Sequence, residues 1–318
     1  MLGARFVFES SAPELLRLVD HAYQALPAHR GRSAGPLLRV QLRLADRAAA
    51  HTRRGTRTAE PPTLNTLSGP AGLLCGVMDQ LNFVLLSPRQ GAALVSVSRD
   101  LLTRRYHARY ELLEFAVFTL AARALGLVPL HAACVGRAGR GVLLIGDSGA
   151  GKSTLSLHCA LQGTDFLAED AVFVDPRTLL ASGISNFVHV RHDSLPLIEN
   201  AAMAARIGRS PVIYRRSGAA KYEVDLRQIG CRLARAPLRI VGIVFLSKRQ
   251  ASAVATLRPI SSQRMLTRLA SAQPYASGLP EWRAFRRQLA QIKGYELQRG
   301  RHPSESAVAL RHLLDGAR

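Results

Sequence analysis

The sequence is poor in the residues that build disulfides, base-stacking surfaces and membrane spans. Cys75, Cys134, Cys159 and Cys231 are the only cysteines in 318 residues. They lie far apart in apolar contexts without C-x-x-C spacing, which argues against a zinc site and a disulfide framework and predicts buried thiols. Aromatic residues make up 6% of the chain, and none alternates with the arginines as a platform for single-stranded nucleic acid requires. No uninterrupted apolar run reaches about 18 residues, so no membrane-spanning helix is predicted. The stretch from Met1 to Glu9 has no long apolar core and meets an acid early, so no secretory signal is expected and the cytoplasm is the expected compartment. Internal repeats and low-complexity tracts are absent.

Acidic residues are scarce as well. There are 22 Asp and Glu against 43 Lys and Arg, a formal net charge of +21. Arginines run from Arg5 to Arg318, with clusters at Arg53-Arg54-Arg57, Arg104-Arg105 and Arg215-Arg216. The pattern reads first as a solvated arginine-rich surface, second as attraction for an acidic protein partner, and last as nucleic-acid binding. A hydrophobic content of 47% allows a substantial core, in one large or two modest domains.

What the chain does have is a complete G-x-x-x-x-G-K-[ST] loop, the Walker A pattern: Gly146-Asp147-Ser148-Gly149-Ala150-Gly151-Lys152-Ser153, directly behind the apolar run Gly141 to Ile145. A buried strand delivers such a loop, its glycines let consecutive backbone N–H groups turn toward phosphates, and the next helix adds its positive N-terminal dipole. The chain is expected to bind a nucleoside triphosphate, with Lys152 reaching its β/γ-phosphates and the Ser153 hydroxyl on Mg²⁺. Thr154 closes the nucleotide-binding stretch and is assigned no contact of its own. Leu155, Leu157 and Leu161 give the helix an apolar side, and Gly163 is placed to end it.

Beyond that helix, Phe166-Leu167-Ala168 reads as a strand leading into the acidic pair Glu169-Asp170. One carboxylate beside Mg²⁺ can hold the ion or its waters, and a second can accept the proton of an attacking hydroxyl, the division of labour in phosphoryl transfer. His131 opens the apolar segment before the loop. It precedes Lys152 by 21 residues, and Glu169 and Asp170 follow Lys152 by 17 and 18.

Taken together, His131, the loop Gly146 to Ser153 and Ala168-Glu169-Asp170 resemble the bacterial HPr kinase/phosphorylase catalytic domain and its wider group of HPr-kinase-related proteins. There a His opens a strand hairpin, a G-D-S-G-x-G-K-S loop follows, and an A-D-D motif comes after the next helix at these offsets. The match covers about a sixth of the chain. The resemblance implies an α/β nucleotide-binding domain of the HPr kinase/phosphoenolpyruvate-carboxykinase-like type and an enzyme that moves the γ-phosphoryl group of ATP to a seryl hydroxyl. It also implies roles: Glu169 as the catalytic carboxylate, Asp170 as the metal-side acid, and His131 as the residue that supports the base. Glu169 stands where the family has Asp, Thr154 where the true regulators usually carry Glu, and no R-G-L-G segment occurs between Asp175 and Pro211. Reverse, phosphorylase-type chemistry therefore has no support in the sequence. Two other classes stay open: a small-molecule kinase on the same site, and a regulatory module that binds ATP without transfer. An ABC-type ATPase is disfavoured, since no L-S-G-G-Q signature is present.

Along the rest of the chain, a helix is predicted over Pro13 to Leu26 with Ser11 as its cap, a strand over Leu37 to Leu44, and a loop over Ala48 to Leu67. Short apolar runs at 72–77, 82–86 and 92–97 predict an antiparallel N-terminal layer, and a helix is predicted from Tyr110 to Ala124. Residues 1–105 are read as an α+β accessory region and 106–318 as the catalytic domain. Strands are predicted at 187–191, 221–226 and 239–246, and helices at 261–270, 281–291 and 304–314. Arg191, Arg215 and Lys221 are candidate cations for the nucleotide or the transferred phosphoryl, although in so basic a chain each reads more readily as surface. His189 and His192 lie on opposite faces of a strand and are not read as a metal pair. The expected partner is a protein or peptide bearing an acceptor serine, acidic if the positive charge steers it, and a homo-oligomer is left open.

Overall fold

The computed structural model describes residues 1–27, 29, 35–45, 60–251 and 254–316. The Arg53-Arg54-Arg57 cluster, most of the predicted 48–67 loop and Arg318 lie outside the described residues. The chain is mixed α/β with several sheets and divides into two compact units. One comprises Gly3–Gln24 and Gly31–Leu125; the other comprises Met1–Leu2, Ala25–Arg30 and Gly126–Arg318. The boundary therefore differs from the expected 105/106. That position falls inside an unbroken helical run from Arg105 to Leu125, which stays with the N-terminal unit and ends where Gly126 adopts φ +61°.

Among the described residues, six strands form the sheet of the N-terminal unit: β1 (Arg5–Glu9), β2 (Leu37–Ala45), β3 (Asn65–Ser68), β4 (Leu74–Val77), β5 (Phe83–Ser87) and β6 (Ala92–Ser98), in the spatial order β1-β2-β6-β5-β4-β3. The three strands predicted from the short apolar runs, β4, β5 and β6, pair antiparallel as expected, and the sheet becomes mixed beyond them, where β1–β2 and β2–β6 are parallel. Strand β1 was not anticipated, and it extends the parallel edge that β2 forms with β6. Along β2, Leu38, Val40 and Leu42 are buried while Arg39, Gln41 and Arg43 face water, the period-two pattern the sequence displays. The first helix spans Pro13–Tyr23 and lacks the predicted Ser11 cap; Ser10 Oγ accepts from the Ala12 N–H instead. The helical run Arg105–Leu125 contains a π-helical stretch, Ala108–Leu113, around a buried Arg109–Glu114 ion pair of 2.5 Å.

Among the described residues, the C-terminal unit has twelve further strands. They are β7 (Val128–Leu130), β8 (Ala133–Arg137), β9 (Arg140–Ile145), β10 (Asp165–Ala168), β11 (Val172–Val174), β12 (Leu180–Gly183), β13 (Phe187–Arg191), β14 (Val212–Tyr214), β15 (Ala220–Asp225), β16 (Leu238–Gln250), β17 (Thr256–Ile260) and β18 (Lys293–Arg299). Nine form one branched sheet whose main path is β10-β8-β9-β16-β12-β11-β7, with β18 joined in parallel to β16 and β17 beyond it. The β8–β9 hairpin turns on Ala138 and Gly139, both at positive φ (+51° and +78°), as a two-residue connection favours. Strand β9 is buried on both faces. Leu143 and Ile145 pack into a core with Leu269, Trp282 and Phe285, and Val142 and Leu144 pack into another with Leu155, Ala307 and Leu310. A near-continuous apolar run is what such a central strand requires.

The remaining three strands form a small sheet, β13-β15-β14. Its Val188, Val190 and Val224 join Leu157, Ala160 and Phe166 in a third core. The helix Lys152–Leu161 is thus gripped on two sides, Leu155 entering one core and Leu157 another, where a single apolar side had been expected. Of the cysteines, Cys134 and Cys159 are buried as predicted, whereas Cys75 and Cys231 are only half-buried. Among the described residues no helix is long and apolar enough to cross a membrane.

Close backbone packing fixes where β10 ends. A Cβ added to Gly183 of β12 would stand 2.6 Å from Ala168 Cβ and 2.9 Å from Leu167 O. We therefore expect Gly183→Ala to destabilise the protein by about 1–3 kcal/mol through overpacking, read as a lowered urea midpoint at unchanged slope.

Candidate active site

The site is assembled at the ends of β9 and β10 and the start of the helix Lys152–Leu161. Gly149 and Gly151 hold φ of +78° and +94°, which L side chains rarely adopt, and the turn between them leads straight into the helix. First-turn amides of a helix have no carbonyl of their own helix to bond, so those of residues 152–154 form a donor cluster with the dipole behind it. Lys152 is buried and folds back along the loop, its Nζ donating to Gly146 O (2.5 Å) and Asp147 O (3.3 Å). Burial lowers its pKa, and the nearby carboxylates of Asp170, Glu169 and Asp147 offset part of that. Asp147, Ser148 and Gly149 form the exposed lip. Thr154 Oγ1 lies 3.3 Å from Ser194 Oγ, a contact within the fold.

Glu169 and Asp170 are consecutive, yet they serve different partners. Glu169, 6% exposed, accepts a short hydrogen bond from the Ser153 hydroxyl on Oε1. On Oε2 it accepts the His189 amide (3.1 Å) and meets His189 Nδ1 (3.2 Å). Asp170 instead meets His131 Nδ1 through Oδ1 at 3.1 Å, and Arg215 Nη2 through Oδ2 at 3.5 Å. His131 was expected to tune Glu169. The structure corrects this: β10 ends at Ala168, the chain bends through Glu169 and Asp170, and of the two acids it is Asp170 that meets His131. That pair is also the open part of the site, with 56% of the His131 side chain and 25% of the Asp170 side chain exposed.

The small sheet supplies the other groups. His189 and Glu223 are direct cross-strand partners in the β13–β15 register, and His189 Nε2 lies 3.5 Å from Glu223 Oε1. Two residues along the same face, Arg191 opposes Lys221. Of the three candidate cations, Arg215 reaches the acidic pair. Lys221 lies within electrostatic range of both acids, its pKa lowered by burial and by Arg215. Arg191 turns to Asp193 at 2.8 Å on an exposed bend. His192 is exposed and His189 buried, as their opposite faces dictate.

Sequence reasoning missed three participants. His189 was considered only as a metal ligand, and its pairing across to Glu223 depends on a strand register that periodicity does not reveal. Gln273, buried at the end of the helix Ser262–Ala272, accepts from His131 N (2.8 Å) and donates to His131 O (3.0 Å), fixing the histidine backbone from 142 residues away. The third is Arg299 at the end of β18, whose Nη1 would lie 4.0 Å from a Cβ on Gly151, so a further cation borders the loop. Neither Gln273 nor Arg299 carries a local sequence signal.

The oxygen donors at the loop suit a hard cation. Ser153 Oγ and the Glu169 carboxylate sit together beside the helix start, and among the described residues no group of three His, Cys, Asp or Glu side chains forms a metal cluster. One or two carboxylates combined with substrate phosphate oxygens is the usual provision for magnesium.

The pair Glu169–His189 also has consequences for stability. Burial alone would raise the Glu169 pKa, but the His189 hydrogen bond and charge outweigh it and hold the carboxyl below its ordinary 4.5. Burial alone would lower that of His189, but Glu169 and then Glu223 raise it above 6.5. The histidine contribution is therefore complete below pH 6.5 and is lost as pH rises through the raised value; the glutamate contribution is present above pH 4.5 and is lost as pH falls through the depressed one. We expect the urea midpoint to fall from neutral to mildly alkaline pH in the parent and to fall less in His189→Gln. Parallel curves for the two proteins would exclude the pair as the source.

No family model matches the chain. Among solved structures, that of the Hpr(Ser) kinase/phosphatase from Coxiella burnetii aligns over 59% of this chain and 97% of its own, with 14% sequence identity and a TM-score of 0.30. The likeness is distant.

Proposed function

We propose that this protein is an ATP-dependent kinase that transfers the γ-phosphoryl group to a hydroxyl, a serine of a protein or peptide, as the resemblance of its motifs to HPr-kinase-related proteins implies. The observation that carries the reading is the meeting, at one helix start, of the loop Gly146–Ser153 with a buried carboxylate on Ser153 and an open carboxylate–histidine pair beside it. The left-handed glycines and first-turn amides would cradle the phosphates of ATP, and Lys152 would turn from the loop carbonyls to the β/γ-phosphates. Magnesium, held by Ser153 Oγ and Glu169, would supply neutralisation of the charge that builds on the phosphate oxygens.

These placements exchange the roles that the resemblance implies for the two acids. Glu169 is buried against Ser153 and belongs to the metal side. Asp170 is reachable and becomes the base: it takes the proton of the acceptor hydroxyl as that oxygen bonds to the γ-phosphorus and the bond to the ADP oxygen breaks. His131 at 3.1 Å and Arg215 at 3.5 Å hold the Asp170 carboxylate in place. Because the pair opens to solvent, a serine carried on a protein chain can approach it. The same openness weighs against a small-molecule kinase, which needs a closed acceptor pocket.

Two tests follow from the assignments. Lys152→Ala removes the loop's own cation and should abolish Mg·ATP binding or transfer; a variant that binds and transfers like the parent would remove the loop from the reaction. Asp170→Asn should leave Mg·ATP binding nearly intact and slow transfer by about 10²–10⁴, whereas Glu169→Gln should weaken Mg·ATP binding first. Nucleotide titration and single-turnover transfer of labelled phosphate on the same preparations separate the two, and the opposite pattern would restore Glu169 as the base.

A further inference from the structure

A cavity of about 470 Å³ lies along the helix Trp282–Leu289, apart from the residues described above. Leu266, Leu279 and Trp282 contribute its apolar lining, and Arg283, Arg286 and Arg287 contribute guanidinium groups. The three arginines stand at i, i+3 and i+4, one face of the helix, while Phe285 and Leu289 are buried on another. On the neighbouring helix, Arg264 and Arg268 reach Glu296 at 3.9 and 3.6 Å. Among the described residues, no such ion pair is seen for Arg283, Arg286 or Arg287. Like charges at this spacing repel each other and disfavour the helix, a cost that an anionic partner offsets.

We infer that this cavity is the docking groove for the protein that carries the acceptor serine, and that it takes an acidic segment with apolar side chains; this deepens the kinase reading and rests on it. Charge complementarity selects the occupant. A second copy of a chain with net charge +21 is a poor match for three unpaired arginines. Nucleic acid fits less well than protein, because the lining offers leucines and a tryptophan that is 6% exposed, with its ring against Phe285 at 5.4 Å and no open face for a base. The groove is linked to the His131 backbone through one helical turn. Ser277, on its wall, donates its amide to Gln273 O at 2.9 Å, and the Gln273 side chain clamps the His131 backbone. A docked segment would thus lie one helical turn from the residue that holds His131.

Trp282 is the only tryptophan in the chain, so its emission reports occupancy directly. The probe is a short synthetic peptide of glutamates and leucines in alternating pairs, titrated into the full-length protein without nucleotide. We expect a saturable change in Trp282 emission, weakened at least about tenfold by Arg283→Glu/Arg287→Glu and progressively by added salt. Circular dichroism checks that the double variant folds, and Arg287→Ala, a milder change at an exposed site, should show a smaller loss. Lys152→Ala should bind the peptide like the parent, so docking can be read even if phosphate transfer fails. No emission change, equal binding of the peptide with lysine in place of glutamate, or stronger binding of a single-stranded oligonucleotide would overturn the proposal. So would equal phosphorylation of a protein substrate by parent and double variant, a result that would leave the kinase reading intact.

Discussion

The buried Glu169 carboxylate joins three segments that are separate in sequence. It closes β10, takes the Ser153 hydroxyl from the helix that follows the glycine loop, and takes the amide and ring of His189 from the small sheet. A carboxylate removed from water costs several kcal/mol unless its oxygens are satisfied, and here both are. The arrangement therefore works as a lock: the charge is tolerable only when loop, helix and small sheet are in register, and their register is held because the charge is there. The longer side chain of Glu suits this position, reaching partners on either side of the strand end.

The neighbouring acid shows how one step along the backbone separates two environments. Asp170 emerges on the other side, against an exposed histidine and an arginine. Two titratable groups in contrasting surroundings can divide acid–base and metal-holding work without competing for a proton. Arg215 touches the environments of both, approaching Asp170 and His189 at 3.5 Å each, so it ties the balance of charge on one side to that on the other.

Much of this was legible in the sequence, for identifiable reasons. Strand β9 announces itself by its apolar run, β2 by its alternation, and the helix Lys152–Leu161 by the glycines at either end. Strand β18, Lys-Gly-Tyr-Glu-Leu-Gln-Arg, does not, since Leu297 is its single fully buried large apolar side chain and partnership with β16 creates the strand. At the site, the loop, the acids and His131 that residue types and spacing singled out lie near one another in the structure. Which acid faces the histidine was beyond them, because that depends on the direction in which the chain leaves β10. His189, Gln273 and Arg299 were invisible for a related reason: each acts through a tertiary contact, and a lone residue of those types has no local signature.

The hold of Gln273 on the His131 backbone bears on the order in which the protein matures. During synthesis the glycine loop and both acids leave the ribosome well before the helix Ser262–Ala272, and contacts spanning 142 residues form late because a long loop must close first. A nascent chain can thus hold every residue of the motif while its histidine is still unanchored. A chain stalled or clipped before Gln273 would keep the sequence motif while lacking both hydrogen bonds that hold the His131 backbone and the strand β18 that pairs with β16.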